Sequence, residues 1–126
     1  MTVRLLLDTH LLLWALATPS KLSADVRKQI DDAEVYASAV SIWEISIKSA
    51  LGKLDADPAQ ILAAIEPAGF AMLPITGMHA VKVAALPPLH KDPFDRMLIA
   101  QALHEPMTLY TNDELIRPYG PFVTVV

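Results

Sequence analysis

The stretch Val3-Arg4-Leu5-Leu6-Leu7-Asp8-Thr9 constrains the fold more than any other part of the chain. It begins as a short apolar run and stops on a carboxylate, and a helical pattern follows. Such a run reads as a strand of a parallel sheet, buried on both faces. Parallel neighbours need crossover connections, so helices must cover the sheet. The same reading puts Asp8 just beyond the strand's carboxyl end, where open α/β sheets gather their ligands.

The rest of the chain repeats the alternation. Residues His10 to Ala17 are rich in Leu and Ala and read as a helix, ended by Pro19. Ser23 caps a second helix, Ala24 to Asp32. Glu34 to Ser38 is the second strand. Ser38 or Ser41 then opens a longer helix through Leu51, stopped at Gly52. Asp57-Pro58 is a cap followed by a favoured first helical residue, starting a helix to about Ile65. Phe70 to Ile75 is the third strand, and Pro74 assigns it to an edge. Gly77 to Leu86 is helical, and Asp92-Pro93 starts a further helix to about His104. Thr108 to Thr111, a short helix from Glu114 to Ile116, and Phe122 to Val126 complete the series. Strands alternating with helices predict an α/β fold: one three-layer α/β/α domain over residues 1–126 with a parallel five-stranded sheet.

Composition narrows the function. Ten basic against fourteen acidic residues leave a formal charge of −4, so charge alone does not mark a nucleic-acid binder. The chain has no cysteine, which excludes disulfides and thiolate zinc sites and fits a reducing cytoplasm. Arg4, the run Leu5 to Ala17 and Ala15-Leu16-Ala17 imitate a signal peptide. Asp8-Thr9-His10 interrupts the would-be apolar region, so a cytoplasmic location is expected. No apolar run is long enough to span a membrane.

Four acids have independent reasons to converge, each beside a plainer role. Asp8 either caps the following helix or ends a strand as a ligand; one carboxylate can do both. On a helical wheel Asp95 falls within about 60° of Leu98, Ile99 and Ala102, the inward side, with Arg96, Met97, Gln101 and His104 farther round. Its plainer role is the third place of a capping box begun by Asp92. Glu44 lies on the margin of a Val40, Ile47, Leu51 stripe, and its plainer role is an exposed pair with Lys48. Asp113 follows the fourth strand, on the same rim as Asp8, and either it or Asn112 can cap the next helix. Together such acids would raise one another's pKa, and a hard divalent cation removes the conflict. Oxygen ligands suit Mg²⁺ or Mn²⁺, and the chemistry implied is metal-assisted phosphodiester hydrolysis.

Other motifs are weaker. His10, His79, His90 and His104 show no metal-ligand spacing. Trp14 and Trp43 sit in apolar helical patterns and read as core. Neither a phosphate-cradling glycine loop nor a nucleophile turn is present.

Leu6-Leu7-Asp8-Thr9, Ser41-Ile42-Trp43-Glu44-Ile45, Asp92-Pro93-Phe94-Asp95-Arg96 and Leu109-Tyr110-Thr111-Asn112-Asp113, in that order, resemble the PIN-domain family, most closely the VapC-type toxins of toxin–antitoxin pairs. The resemblance implies a Mg²⁺-dependent endoribonuclease (Mn²⁺ as an alternative ion) of the parallel-sheet fold. It implies Asp8 and Asp95 as principal metal ligands and Glu44 and Asp113 as further catalytic acids. Thr9 and Thr111 become supporting groups. It implies an RNA substrate such as transfer or ribosomal RNA, a cognate antitoxin and a homodimer. Lys48, Lys53, Lys91, Arg96 and Arg117 are then expected to ring the site and hold phosphates. Two rivals stay open: a non-catalytic RNA- or partner-binding module of the same fold, and a phosphotransferase or phosphatase of the haloacid-dehalogenase type using Asp8 as nucleophile. The second wants an acid two residues on, where this chain has His10.

Overall fold

The computed structural model describes residues 2–126. Five parallel strands form one sheet in the order β3-β2-β1-β4-β5. They are β1 (Arg4–Leu7), β2 (Glu34–Ser38), β3 (Ala71–Leu73), β4 (Thr108–Thr111) and β5 (Val123–Val125). The helices are α1 (Thr9–Ala17), α2 (Ala24–Asp31), α3 (Ala39–Ala50), α4 (Pro58–Ile65), α5 (Gly77–Ala84) and α6 (Pro93–His104). Short 3₁₀ turns cover Pro19–Lys21 and Glu114–Tyr119.

β1 occupies the centre, as its unbroken apolar run requires. Leu5, Leu6 and Leu7 are all essentially inaccessible to solvent. They alternate between faces, as a strand's period of two dictates. Leu6 packs with Val40, Leu98, Ile99, Leu109, Ile116 and Val123 on one side. Leu5 and Leu7 pack with Leu11, Leu12, Val35, Ala37, Ile65 and Tyr110 on the other. Thus α1, α2 and α4 cover one face, while α3, α5 and α6 cover its opposite.

β3 is an edge strand, as Pro74 foretold, and it shrinks to three residues. Several boundaries shift elsewhere. α5 stops at Ala84, short of the expected Leu86. The segment after β4 is a 3₁₀ turn that continues through Pro118 rather than a helix ending at Ile116. A short 3₁₀ turn has no long backbone ladder for proline to interrupt, so Pro118 is accommodated there.

The two helix faces read from periodicity need correction. On α3 the buried stripe is Val40, Ser41, Glu44 and Ile45, while Ile47 and Leu51 face outward. On α6 Gln101 is fully buried, although the wheel set it away from the core. α6 packs along α5 as well as on the sheet, so two of its flanks are covered. Its Oε1 accepts from Ser38 Oγ at 2.5 Å and its Nε2 donates to the Pro74 carbonyl at 3.2 Å.

Candidate metal centre at the carboxyl end of the sheet

Three elements end at one rim. β1 delivers Asp8, the N-terminal turn of α6 delivers Asp95, and the segment after β4 delivers Asp113. α3, which starts at the carboxyl end of β2, brings Glu44 alongside. Asp8, Thr9, His10, Glu44, Lys48, His90, Asp92, Asp95, Asn112 and Asp113 line a single cavity of about 210 Å³. All four acids singled out from the sequence therefore share one cleft; Asp8 and Asp113 also serve as caps, whereas Asp95 turns its carboxylate to His90 instead of closing a capping box and the Glu44–Lys48 pair joins a buried carboxylate.

Asp8 is buried, at 4% exposure. Its Oδ1 accepts from Leu11 N at 2.8 Å, capping α1. Its Oδ2 accepts from the Thr111 hydroxyl at 2.6 Å. Burial pushes its carboxyl above the ordinary aspartate value, against the pull of the Thr111 and Leu11 hydrogen bonds. Thr111 in turn accepts from Asp113 N at 3.1 Å, so one hydroxyl ties two acid-bearing segments together. Thr9 Oγ1 donates to Glu44 Oε1 at 2.6 Å and lies 3.0 Å from Ser41 Oγ. Glu44 is as buried as Asp8, and its other oxygen pairs with Lys48. Lys48 also lies 5.9 Å from the Phe94 ring centroid.

Asp95 is partly buried. Its pKa is pushed up to about 6, chiefly by burial, with repulsion from Asp92 and Glu44 adding to it and the His90 hydrogen bond opposing. Asp92 caps α6, accepting from Phe94 N at 2.8 Å and Asp95 N at 3.0 Å. Asp113 Oδ1 caps the following 3₁₀ turn through Leu115 N at 2.9 Å.

The fit of this donor set to a cation can be judged from its own chemistry. Carboxylates crowd a partly dry cleft, two have raised pKa values, and Lys48 neutralises only Glu44. Oxygen donors in excess of local positive charge are what a hard divalent ion requires. The residues present fit Mg²⁺ or Mn²⁺.

Some expectations fail. Arg96 is not a free phosphate-binding cation: it donates to the carbonyls of Val83 at 3.1 Å, Pro87 at 3.1 Å and His90 at 3.4 Å. Arg117 closes a two-pronged pair with Glu114, at 2.8 and 3.0 Å. Lys48 is held by Glu44. Of the five basic residues proposed as a rim, Lys53, Lys91 and Arg96 have no ion pair among the described residues, and Arg96 is spent on backbone carbonyls. Trp43 is not core: it is 55% exposed and leans edge-on against Phe94, with centroids 5.1 Å apart. Trp14 does pack against the core cluster under α1.

His90 is the residue that sequence reasoning missed. Its Nε2 lies 2.7 Å from Asp95 Oδ2 and 3.9 Å from Asp113 Oδ2. No spacing rule could find it, because its partners lie five positions away across a proline-broken loop and beyond β4. The one available signal was its place just before Asp92-Pro93.

The family model of the PIN domain matches residues 5–119. This chain belongs to the PIN-domain family. Among curated proteins, none matches it. Solved structures share the fold of this PIN domain. VapBC2 from Rickettsia felis, bound to a DNA fragment from its promoter, superposes with a TM-score of 0.69 at 14% identity, covering 98% of both chains. A toxin–antitoxin complex from Klebsiella pneumoniae gives 0.66 at 16% identity, covering 95% of each chain. FitAcB from Neisseria gonorrhoeae gives 0.61 at 23% identity, covering 86% of this chain and 87% of that one. The cleft of this PIN domain thus sits on a framework it shares with chains whose sequences have diverged widely.

Proposed function

We propose that this PIN domain is the toxin of a toxin–antitoxin pair and acts as a metal-dependent endoribonuclease. The observation that carries the reading is the meeting of Asp8, Glu44, Asp95 and Asp113 in one cavity at the carboxyl end of the sheet. Asp8 and Asp95 are the principal ligands of a Mg²⁺ or Mn²⁺ ion, with Glu44 and Asp113 reaching it directly or through water. When bound, the cation supplies acidification of a water molecule and stabilisation of charge growing on a phosphoryl group.

The chain's own residues do the rest. The Thr111 hydroxyl and Leu11 N–H fix both oxygens of Asp8, so its carboxylate cannot rotate away from the cleft. Thr9 and Lys48 hold the two oxygens of Glu44. Lys53 and Lys91, which have no ion pair among the described residues, offer positive charge for the substrate phosphates. The substrate is RNA, of the transfer or ribosomal class.

A cognate antitoxin and a second copy of the chain are the expected partners. Among the similar solved structures are VapBC proteins and FitAB bound to DNA and a further toxin–antitoxin complex. Trp43, Leu51, Met78 and Val81 leave apolar surface that such partners cover. Among the described residues no helix is long and apolar enough to cross a membrane. A cytoplasmic site of action goes with an RNA substrate.

The test is RNA 5′-end sequencing after brief induction, with Asp8→Asn as control. New ends absent from the control, together with Mg²⁺- or Mn²⁺-dependent cleavage in vitro, support the assignment. Full cleavage by Asp8→Asn, or cleavage undiminished in EDTA, removes it.

A further inference from the structure

We propose that His90 is itself a ligand of the cation, a nitrogen donor beside Asp95 and Asp113, so that the site selects Mn²⁺ over Mg²⁺. The inference rests on the metal-dependent reading above and sharpens it. One donor atom from each of His90, Asp95 and Asp113 lies within 4.8 Å of the others. His90 Nε2 is 2.7 Å from Asp95 Oδ2 and 3.9 Å from Asp113 Oδ2. Around an octahedral ion with bonds of about 2.1 Å, adjacent ligands stand about 3.0 Å apart and opposite ones about 4.2 Å apart. The His90–Asp95 separation is near the adjacent spacing and the His90–Asp113 separation lies between the adjacent and opposite ones, so small side-chain movements bring the three donors around one ion.

The loop that carries the ring is also held in position before any ion arrives. Arg96, next to Asp95 on α6, donates to the carbonyl of His90 itself at 3.4 Å and to that of Pro87 at 3.1 Å. Its other arm reaches Val83 O at 3.1 Å, and Tyr119 Oη donates to Pro87 O at 3.0 Å. This knot pins the loop from Pro87 to His90 onto the end of α5 and the 3₁₀ turn. A planar guanidinium suits several carbonyls at once, which a lysine does not. Arg96 is thus a positioning residue for His90. Imidazole is a good ligand for the later first-row metals, and affinity rises along that series from Mn²⁺, whereas Mg²⁺ prefers oxygen and water. One nitrogen in an otherwise oxygen site therefore shifts the preference toward Mn²⁺.

The decisive measurement is pulsed electron paramagnetic resonance on the Mn²⁺-loaded full chain, beside calorimetric titration with Mg²⁺ and Mn²⁺. We expect a ¹⁴N coupling of imidazole type that changes to ¹⁵N when the histidines are labelled and is lost in His90→Gln. We expect His90→Ala to lose roughly ten-fold in Mn²⁺ affinity and less than about three-fold in Mg²⁺ affinity. Wild-type protein without histidine nitrogen coupling overturns the proposal and needs no variant to do so. It is equally overturned if His90→Ala binds Mn²⁺ as tightly or more tightly, since the ring is then a stand-in that the ion displaces. If either overturning result is found while both ions bind and RNA is cut, only the role of His90 falls. If neither ion binds the wild-type chain, the metal-dependent reading falls with it.

Discussion

Thr111 shows how one hydroxyl decides a site. Its proton goes to Asp8 Oδ2 and its oxygen receives Asp113 N–H. Thr111→Val keeps the volume and removes both bonds, leaving Asp8 free to turn. Cleavage is expected to fall about 10–100-fold, the usual effect of losing a group that orients a ligand. Thr111→Ser should restore most of it, and single-turnover RNA cleavage measures both. Asp95 carries a pH prediction. Its pKa of about 6 stands above the ordinary 3.8, so the native state binds the proton more tightly than the unfolded chain. Metal-free stability should therefore increase as pH falls from about 6 toward 4 and decrease as pH rises through that window. Asp95→Asn should flatten this slope, leaving the part that comes from Asp8, and stabilise the metal-free protein at neutral pH by on the order of 1–3 kcal/mol. Melting curves in EDTA across the window report it. Cleavage carries the opposite sign, declining as falling pH protonates the carboxyl and the ion is lost.

At the scale of elements, α6 joins the site to the scaffold. Asp95 lies in its first turn, Arg96 pins the His90 loop, and Gln101 bonds Ser38 and Pro74. Gln101→Ala leaves the Ser38 hydroxyl and the Pro74 carbonyl without their partner, and should cost on the order of 2–3 kcal/mol in urea denaturation. A second cluster, His79, His104 and Glu105, has donor atoms near enough for a metal but is already spent. His79 Nδ1 accepts from Thr76 N at 3.1 Å, completing the cap of α5, so Nε2 keeps its proton and meets Glu105 Oε2 at 2.5 Å. Elements were largely readable because caps and prolines act locally: Asp57-Pro58 and Asp92-Pro93 start α4 and α6 where expected. Strands β2 and β4 fall on their expected residues. What one sequence cannot reveal is which neighbour covers a helix flank. Trp43 was read as core and Gln101 as peripheral, and His90 was passed over, because each depends on a packing partner distant in the chain.

Over the whole molecule, the sheet's centre and its charge carry the remaining expectations. Leu6 is wholly inaccessible and joins α3, α6, β4 and β5 across one face. Leu6→Ala should cost about 2–5 kcal/mol and, through β1, loosen Asp8, visible as a lower denaturation midpoint and weaker metal binding. The net charge of −4 gathers partly in the cleft, and the basic residues are mostly engaged elsewhere. RNA binding by inactive Asp8→Asn should then depend only modestly on salt. Two phosphate contacts, from Lys53 and Lys91, give a logarithmic slope of about −1.4 for single strands. A slope several times steeper would mean that other cations reach the RNA.

The hydrogen bond from Thr111 to Asp8 spans 103 positions of sequence, and β1 lies between two strands of which one is made early and the other late. A ribosome translating this message therefore releases Asp8 into the cell long before Asp95, Thr111 and Asp113 exist to complete its surroundings. Until β4 slots in beside β1, the growing polypeptide has no assembled cleft, so whatever chemistry the four acids perform waits for the last quarter of the chain.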